Sequence, residues 1–280
     1  MQLSNSLADT RKNPVKAWRT PFQVFGLLIG TGILGACAQV SSQVPCEQLG
    51  YQVNDPGAPV NRSIFAFNKG LDTYALKPVA HGYKHLPEMV QHGVHNFASN
   101  FGEPKRFIND LLQGNVRRSA NTLQRFVLNS TVGVLGLMDV ATGWGRPYHD
   151  ADFGQTFGVW GLASGPTVEL PLFGSSDVRD SVGKVASFVL DPFGNVDSDT
   201  YDTLSTLSTV GGIVDGRAEA LPLTDKLERS PDYYSALRDK KGQHRNVLIL
   251  EGKQGSVADS TIAQRCMITP QDADAVKGAL

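Results

Sequence analysis

Residues 61–76, NRSIFAFNKGLDTYAL, set the fold class of this 280-residue chain. Apolar side chains recur in this stretch every three or four positions, and polar side chains stand between them. The recurring positions are Ile64, Phe67, Leu71 and Tyr74, with Asn68 and Asp72 offset from them. That period places the apolar residues on one face of an α-helix. The stretch therefore predicts an amphipathic helix, which the chain enters through Pro59.

Similar periodicity predicts further helices both before and after the middle of the chain. They cover residues 90–100, 109–113, 117–131 and 232–241, and a stripe of valines from Val178 continues until Asp191-Pro192 ends it. Another helix begins near Leu204, where Gly211-Gly212 is expected to hinge or break it. The sequence thus indicates a mainly α fold.

The middle of the chain has a different composition. It holds ten glycines between Gly133 and Gly183, and two uncharged runs, 126–138 and 153–168. Each run is too short and too rich in glycine to cross a bilayer as a regular helix. Because glycine permits close packing and sharp turns, loops and short strands are a serious alternative here.

The N-terminus has the pattern of a secretory signal peptide. Four basic residues and one acid precede fourteen uncharged residues, Pro21 to Leu34. As a helix this run would span about 21 Å, which is less than the roughly 30 Å of a bilayer core. Residues 1–36 are therefore expected to be removed.

The signal peptide ends in Leu34-Gly35-Ala36-Cys37, which resembles the bacterial lipobox. We expect Cys37 to become the first residue and to carry a covalent N-acyl diacylglycerol, with no other cofactor; the alternative is a plain secretory signal. Cleavage changes the formal charge from −1 to −4. Residues 37–53 would form a lipidated tether, and the remaining Cys46 and Cys266 could form a disulfide or stay as free thiols.

Several kinds of chemistry are disfavoured by the sequence. The near-neutral charge and the lack of a basic tract argue against a nucleic-acid partner, and the serine-hydrolase, phosphate-loop and zinc-protease motifs do not occur. GTGILG, residues 30–35, lies inside the signal peptide and is not a dinucleotide site.

We predict no metal site, because the histidines at 81, 85, 92 and 95 are interpreted as solvated residues on a helix surface. The only cluster of basic residues is interpreted as a solvated helix end; it consists of Arg238, Lys240, Lys241 and Arg245.

A series of motifs, in order from about 54 to 238, resembles the MlaA family, also called VacJ. The motifs include Asn54-Asp55-Pro56, Phe65-Ala66-Phe67-Asn68, Asn109-Asp110-Leu111-Leu112-Gln113, Arg125-Phe126, Asp152-Phe153-Gly154-Gln155-Thr156 and Leu170-Pro171-Leu172. Gly57-Ala58 and Thr167 depart from the family pattern. The resemblance assigns residues 54–245 to an MlaA-like domain. Because the chain turns polar and small beyond Glu251, residues 246–280 are expected to form a mostly disordered tail.

The resemblance implies a ring-shaped bundle of amphipathic helices in the inner leaflet of the outer membrane, on its periplasmic face, with a central polar channel. It further implies that the protein is no enzyme, but removes mislocalised phospholipids from the outer leaflet and passes them to a soluble periplasmic carrier. Outer-membrane porin trimers are the other implied partners. Candidate channel or gate residues are Phe65, Phe67, Asn68, Asn129, Asp139, Asp152, Gln155, Arg179 and Asp180, each of which has packing or helix capping as its alternative role.

Two other functions fit the sequence. A structural lipoprotein that scaffolds porins would need the same anchor but no channel. A lipid hydrolase could use Ser130 or Ser176 with an Asp and a His, although neither serine lies in a hydrolase motif.

Overall fold

The computed structural model of the protein describes residues 51–190, 198–255 and 257. Cys37, Cys46 and Cys266 lie outside these residues, as does the signal peptide. Lipidation and the disulfide therefore stay predictions. The described residues belong to one unit.

Helices make up most of the described chain. They are α1 (Ala58–Leu71), α2 (Lys77–Lys84), α3 (Glu88–Leu112), α4 (Val116–Thr131), α5 (Val140–Gly143), α6 (Phe153–Val159), α7 (Val178–Val189), α8 (Asp199–Leu227) and α9 (Tyr233–Gln254). A π-helical turn, Asp72–Leu76, joins α1 to α2, and two strands, β1 (Thr167–Leu170) and β2 (Gly174–Asp177), form a hairpin. The mainly α fold class is confirmed.

The helical stretch predicted for residues 61–76 is present, divided between α1 and the π-helical turn that follows it. Pro59 lies in the first turn of α1, where a missing N–H costs nothing. The π-helical turn leads directly into α2, whose first turn contains Pro78. Because Pro78 cannot donate to the helical ladder, the widened turn lies where that ladder is already interrupted.

Packing of the long helices organises the structure. Helix α3 packs against α4 and α8, α2 packs against α8, and α6 packs against α7 and α9. Gly114 makes the turn between α3 and α4 in a left-handed conformation, with φ of 73°. The hairpin pairs Thr167 with Asp177 and Leu170 with Gly174, and it contacts α1 and α9.

Three helix predictions need correction. Residues 90–100 and 109–113 belong to one helix, α3, which continues past Pro104. Helix α8 is unbroken at Gly211-Gly212. These glycines instead allow α8 to pack closely against α3, since a Cβ at Gly211 would lie 3.0 Å from Val94 Cγ1. Helix α9 extends to Gln254, well beyond the helix predicted for residues 232–241 and past the expected domain boundary at 245; Gly255, with φ of 62°, ends the helix.

Candidate functional site

The polarity of the described residues is inverted relative to an ordinary globular protein. Polar and charged residues outnumber hydrophobic ones among the buried positions. The largest fully buried side chains include Arg118, Gln155, Glu103 and Glu169. Large apolar side chains lie instead on the outside, where Tyr74, Met89 and Phe188 are 84–88% exposed. An apolar exterior of this extent is typical of a surface that contacts lipid or another protein.

No helix in residues 51–190 or 198–255 combines the length and apolar character that a membrane crossing requires.

One buried network joins α3, α4 and α5 through Arg125. Its guanidinium donates to Glu103 Oε1 at 2.9 Å, to Thr142 Oγ1 at 2.9 Å and to Asp139 Oδ2 at 3.1 Å. Asn129 Nδ2 donates to the other oxygen of Asp139 at 3.1 Å. These contacts satisfy a carboxylate and a guanidinium that would otherwise be costly to bury.

A second buried network centres on Asp110. Thr122 Oγ1 donates to Asp110 Oδ2 at 2.6 Å, and His149 Nε2 lies 2.9 Å from the same oxygen. Arg118 Nε lies 3.4 Å from Asp110 Oδ1, and neither side chain is exposed. The interior of the α3–α4 pair is thus held by charge and hydrogen bonding where a soluble helical protein uses apolar packing.

A cavity of about 580 Å³ opens between α1, the hairpin, α8 and α9. Its wall is mainly apolar, and its charged side chains include more bases than acids. The charged and polar residues on it are Asn68, Lys69, Asp72, Glu169, Arg217, Thr224, Lys240, Lys241 and His244. The mixed wall can accommodate both apolar and anionic groups of a ligand.

Both acidic groups of this cavity already have partners. Arg217 donates to the two oxygens of Asp72 at 2.6 Å and 2.8 Å. Glu169 accepts from Asn68 Nδ2 at 3.0 Å and also from Ser175 Oγ. Because the basic side chains on the wall outnumber the two carboxylates, the net field in the cavity favours an anion.

Lys241 lines both cavities and is a candidate to contact a ligand. Its ammonium makes no hydrogen bond or ion pair within the described chain, and its side chain is exposed to the cavity although protein surrounds it on most sides. This burial lowers the pKa of Lys241, and the nearby Glu169 carboxylate partly opposes the shift.

A second cavity, of about 360 Å³, adjoins the first and shares Phe173, Lys241 and His244 with it. Arg245 spans part of its wall, with Nη1 2.7 Å from Asp152 Oδ2 and Nε 2.6 Å from Asp180 Oδ2. The two cavities therefore adjoin along one face of α9.

Four of the predicted site residues lie on these walls. Phe65 and Asn68 line the larger cavity, and Asp152 and Asp180 line the smaller one. Asn68 also fixes the hairpin, because its side chain donates to Leu170 O at 3.0 Å and accepts from Leu172 N at 2.9 Å. Asp152 caps α6 by accepting from Gln155 N at 2.7 Å.

The other five predicted residues are not on the walls of the two large cavities. Phe67 is exposed on the outer side of α1. Gln155 is fully buried and donates to Leu248 O, and Arg179 pairs with Asp177 and Asp180. Asn129 and Asp139 belong to the Arg125 network beside a small cavity of about 30 Å³. Their hydrogen-bonding capacity is used in holding helices together.

The basic residues of α9 do not form the solvated helix end that the sequence predicts. They lie inside α9, where Lys240 and Lys241 line the larger cavity and Arg238 and Arg245 the smaller one. A sequence signal for this arrangement exists: residues at three- and four-residue intervals lie on one face of a helix. Leu237, Lys241, His244 and Leu248 have this spacing, which could have predicted a continuous helix.

These features define a class: a helical protein with an apolar outside and a polar interior that contains a cation-rich cavity. Comparison with known proteins then gives the family. The MlaA lipoprotein family matches residues 53–248. The chain belongs to this family, which confirms the resemblance seen in its motifs.

Individual relatives agree with that placement. The intermembrane phospholipid transport system lipoprotein MlaA of Escherichia coli is 32% identical over 241 residues, covering 81% of this chain and 88% of the relative. An uncharacterized protein of Rickettsia felis is 35% identical over 190 residues, covering 67% and 74%. A solved structure, from work on the structural basis for maintenance of bacterial outer membrane lipid asymmetry, is 31% identical with a TM-score of 0.61, covering 70% of this chain and 98% of that one.

Proposed function

We propose that this protein is an outer-membrane lipoprotein that removes mislocalised phospholipids from the outer leaflet and passes them to a soluble periplasmic carrier. The observation that carries the proposal is the cation-rich cavity inside a protein whose exterior is apolar. A phospholipid has the matching chemistry, an anionic phosphate attached to apolar tails. The relative from Escherichia coli is named for phospholipid transport, which supports the same assignment.

The inverted polarity supports a position in the inner leaflet. A ring with an apolar outside can lie among acyl chains, provided that its polar groups are bonded internally or face water in a channel. The buried networks of Arg125 and Asp110 provide such internal bonding. In this proposal the two adjoining cavities form part of the polar channel, and the lipid on Cys37 anchors the chain.

The apolar exterior and the channel also suggest which partners the protein binds. The exposed apolar surface would contact lipid and the porin trimers of the outer membrane, while the channel would open towards the periplasmic carrier. Porin binding and carrier binding can each be tested by site-specific photo-crosslinking from exposed positions such as Leu207. Crosslinks to neither partner would contradict this part of the proposal.

We propose that the protein breaks no bond in its substrate. Within the described chain, the serines of the hydrolase alternative are not bonded to histidine: Ser130 accepts from Asn100 Nδ2 at 3.0 Å, and Ser176 Oγ has no partner. Purified protein incubated with labelled phospholipid should release neither fatty acid nor lysolipid. Release that is abolished by Ser130→Ala or Ser176→Ala would show a hydrolase instead.

The decisive experiment measures phospholipid in the outer leaflet of living cells. Deletion of the gene should cause phospholipid to accumulate there, and the wild-type gene should clear it. A Cys37→Ala variant should fail to restore clearance, because it lacks the anchor. A porin scaffold without transport activity would leave outer-leaflet phospholipid unchanged on deletion.

The position in the membrane has a separate test. Trp144 and Trp160 are 60% and 53% exposed, so brominated acyl chains should quench their fluorescence in reconstituted vesicles. Quenching no greater than that of a water-soluble tryptophan would contradict embedding.

A further inference from the structure

A cluster of three possible metal ligands lies apart from both large cavities. His95 is on α3, and Asp215 and Glu219 are one helical turn apart on α8. One donor atom from each residue lies within 4.8 Å of the other two. None of the three residues lines either large cavity.

The donor spacings suit a single cation. His95 Nδ1 lies 2.8 Å from Asp215 Oδ2 and 3.3 Å from Glu219 Oε1. Around a tetrahedral ion with metal–donor distances near 2.1 Å, neighbouring donors stand about 3.4 Å apart. Both distances from His95 Nδ1 are close to that spacing, and all three donor atoms lie within 4.8 Å of one another.

A fourth residue orients the ligand set. Tyr83 OH, on α2, donates to Asp215 Oδ1 at 2.9 Å, which leaves Oδ2 facing His95. A hydrogen bond to the second oxygen of a ligating carboxylate is the usual outer-shell support of a metal site. Asp215 is nearly buried, with a side chain 10% exposed, so it is held in place by its surroundings.

Water and ions can reach the cluster. The side chains of His95 and Glu219 are 46% and 57% exposed. His95 also lines the polar cavity of about 30 Å³ beside Asn96 and Ser99, which is large enough for one water molecule. Three protein ligands with water at the fourth position form a recognised zinc arrangement.

From this geometry we infer that His95, Asp215 and Glu219 bind a divalent first-row transition-metal ion, such as Zn²⁺, which clamps α3 to α8. A mixed imidazole and carboxylate set favours such an ion over Mg²⁺ or Ca²⁺. The ion would stabilise the helix whose opposite face carries Arg217 into the larger cavity. The inference does not depend on the proposed function.

The test is calorimetric titration of untagged, metal-stripped protein in detergent with ZnCl₂. One ion should bind per chain, and His95→Ala or Asp215→Asn should weaken binding at least tenfold. Zn²⁺ at about 100 times its Kd should raise the Tm of the wild type by about 5–10 °C, and EDTA should reverse the shift.

His92→Ala is the matched control, because His92 is an exposed histidine on the same helix outside the cluster. A Cys46→Ser, Cys266→Ser variant tests whether the thiols bind zinc. Both controls should bind Zn²⁺ as the wild type does. Circular dichroism verifies that each variant folds, and Co²⁺ absorption spectra of the wild type and His95→Ala give a second readout. Absence of saturable binding, or equal binding by His95→Ala and the wild type, would overturn the inference.

Discussion

Arg217 and Asp72 form a bidentate ion pair across the wall of the larger cavity, with Nε–Oδ1 and Nη2–Oδ2 distances of 2.6 Å and 2.8 Å. The pair ties α8 to the π-helical turn that joins α1 to α2. Both side chains are mostly buried, at 12% and 22% exposure. A planar guanidinium facing a carboxylate in this way gives strong and directional bonding.

Loss of one member of this pair should destabilise the fold. We expect Arg217→Met to reduce the free energy of unfolding by about 2–4 kcal/mol, because Asp72 is left partly buried without a counter-charge. The Asp72→Asn, Arg217→Met double variant should lose less than the sum of the two single losses. Denaturant unfolding in detergent micelles measures all three, and strictly additive losses would show that the pair is uncoupled.

Loss of Arg125 should destabilise the fold more than loss of Arg217, because the Arg125 ion pair with Glu103 is more deeply buried. The side chain of Arg125 is 3% exposed and that of Glu103 is 1% exposed. We expect Arg125→Met to cost about 3–5 kcal/mol in unfolding free energy, since Glu103 loses its 2.9 Å partner and Asp139 loses a contact. Arg125→Lys should be only partly tolerated, because one ammonium cannot reach Glu103, Thr142 and Asp139 together.

An exposed ion pair provides the comparison for Arg125. Arg62 pairs with Asp232, and their side chains are 48% and 42% exposed. The hydrogen bond from Arg62 lowers the pKa of Asp232. Solvent screens such a pair, so Arg62→Met should leave the denaturation midpoint almost unchanged. Similar losses for Arg62→Met and Arg125→Met would refute the view that the buried networks hold the fold.

Gly183 marks the closest approach of α6 and α7. A Cβ on Gly183 would lie 2.4 Å from Gly154 N and 2.7 Å from Gly154 Cα. Backbone atoms cannot move aside as a flexible side chain does, so Gly183→Ala should cost about 3 kcal/mol of stability. The measurement is the unfolding midpoint of the purified protein.

Gly216 is the matched control, because it is also inside a helix but a Cβ on it would meet no packing neighbour within 4 Å. Gly216→Ala should stabilise by about 0.5–1 kcal/mol through helix propensity alone. If both alanines changed the midpoint in the same direction, close packing at Gly183 would not be the cause.

The helices that the sequence predicts well are those whose apolar stripe is short and regular. Residues 61–76 and 117–131 are examples, and their stripes include Phe67, Val127 and Leu123, which are exposed in the structure. Hydrophobic periodicity therefore finds the helices although it marks the outside of this protein. Periodicity needs only a contrast between two faces, whichever of them is buried.

The polar interior and apolar exterior also explain why the sequence mispredicts α3 and the basic residues of α9. The buried face of α3 carries Asn100, Glu103, Arg106, Asn109 and Asp110, so no apolar stripe connects its two predicted pieces. For the same reason the basic face of α9 looks like a solvated surface in the sequence. Phe65, Asn68, Asp152 and Asp180 are found through family motifs, whereas the His95–Asp215 contact joins residues too distant in the chain for any local pattern to show.

Lys241 provides the sharpest test of the cavity as a path for phospholipid. Its ammonium is exposed to both cavities and has no partner among the described residues, so it is available to a phosphate. In the proposed function, Lys241→Glu should repel the headgroup and cause phospholipid to accumulate in the outer leaflet. Lys241→Met, which removes the charge but keeps the length, should give an intermediate effect.

Lys253→Glu controls for the change in net charge, since Lys253 lies on the same helix, is exposed and lines neither large cavity. It should clear phospholipid as the wild type does. Immunoblots of isolated outer membranes verify that all variants reach the same level, because a reduced amount of protein would imitate a transport defect. Normal clearance by Lys241→Glu at wild-type abundance would show that Lys241 does not act on the lipid path, since reversing a charge on the wall of that path must alter the passage of an anion.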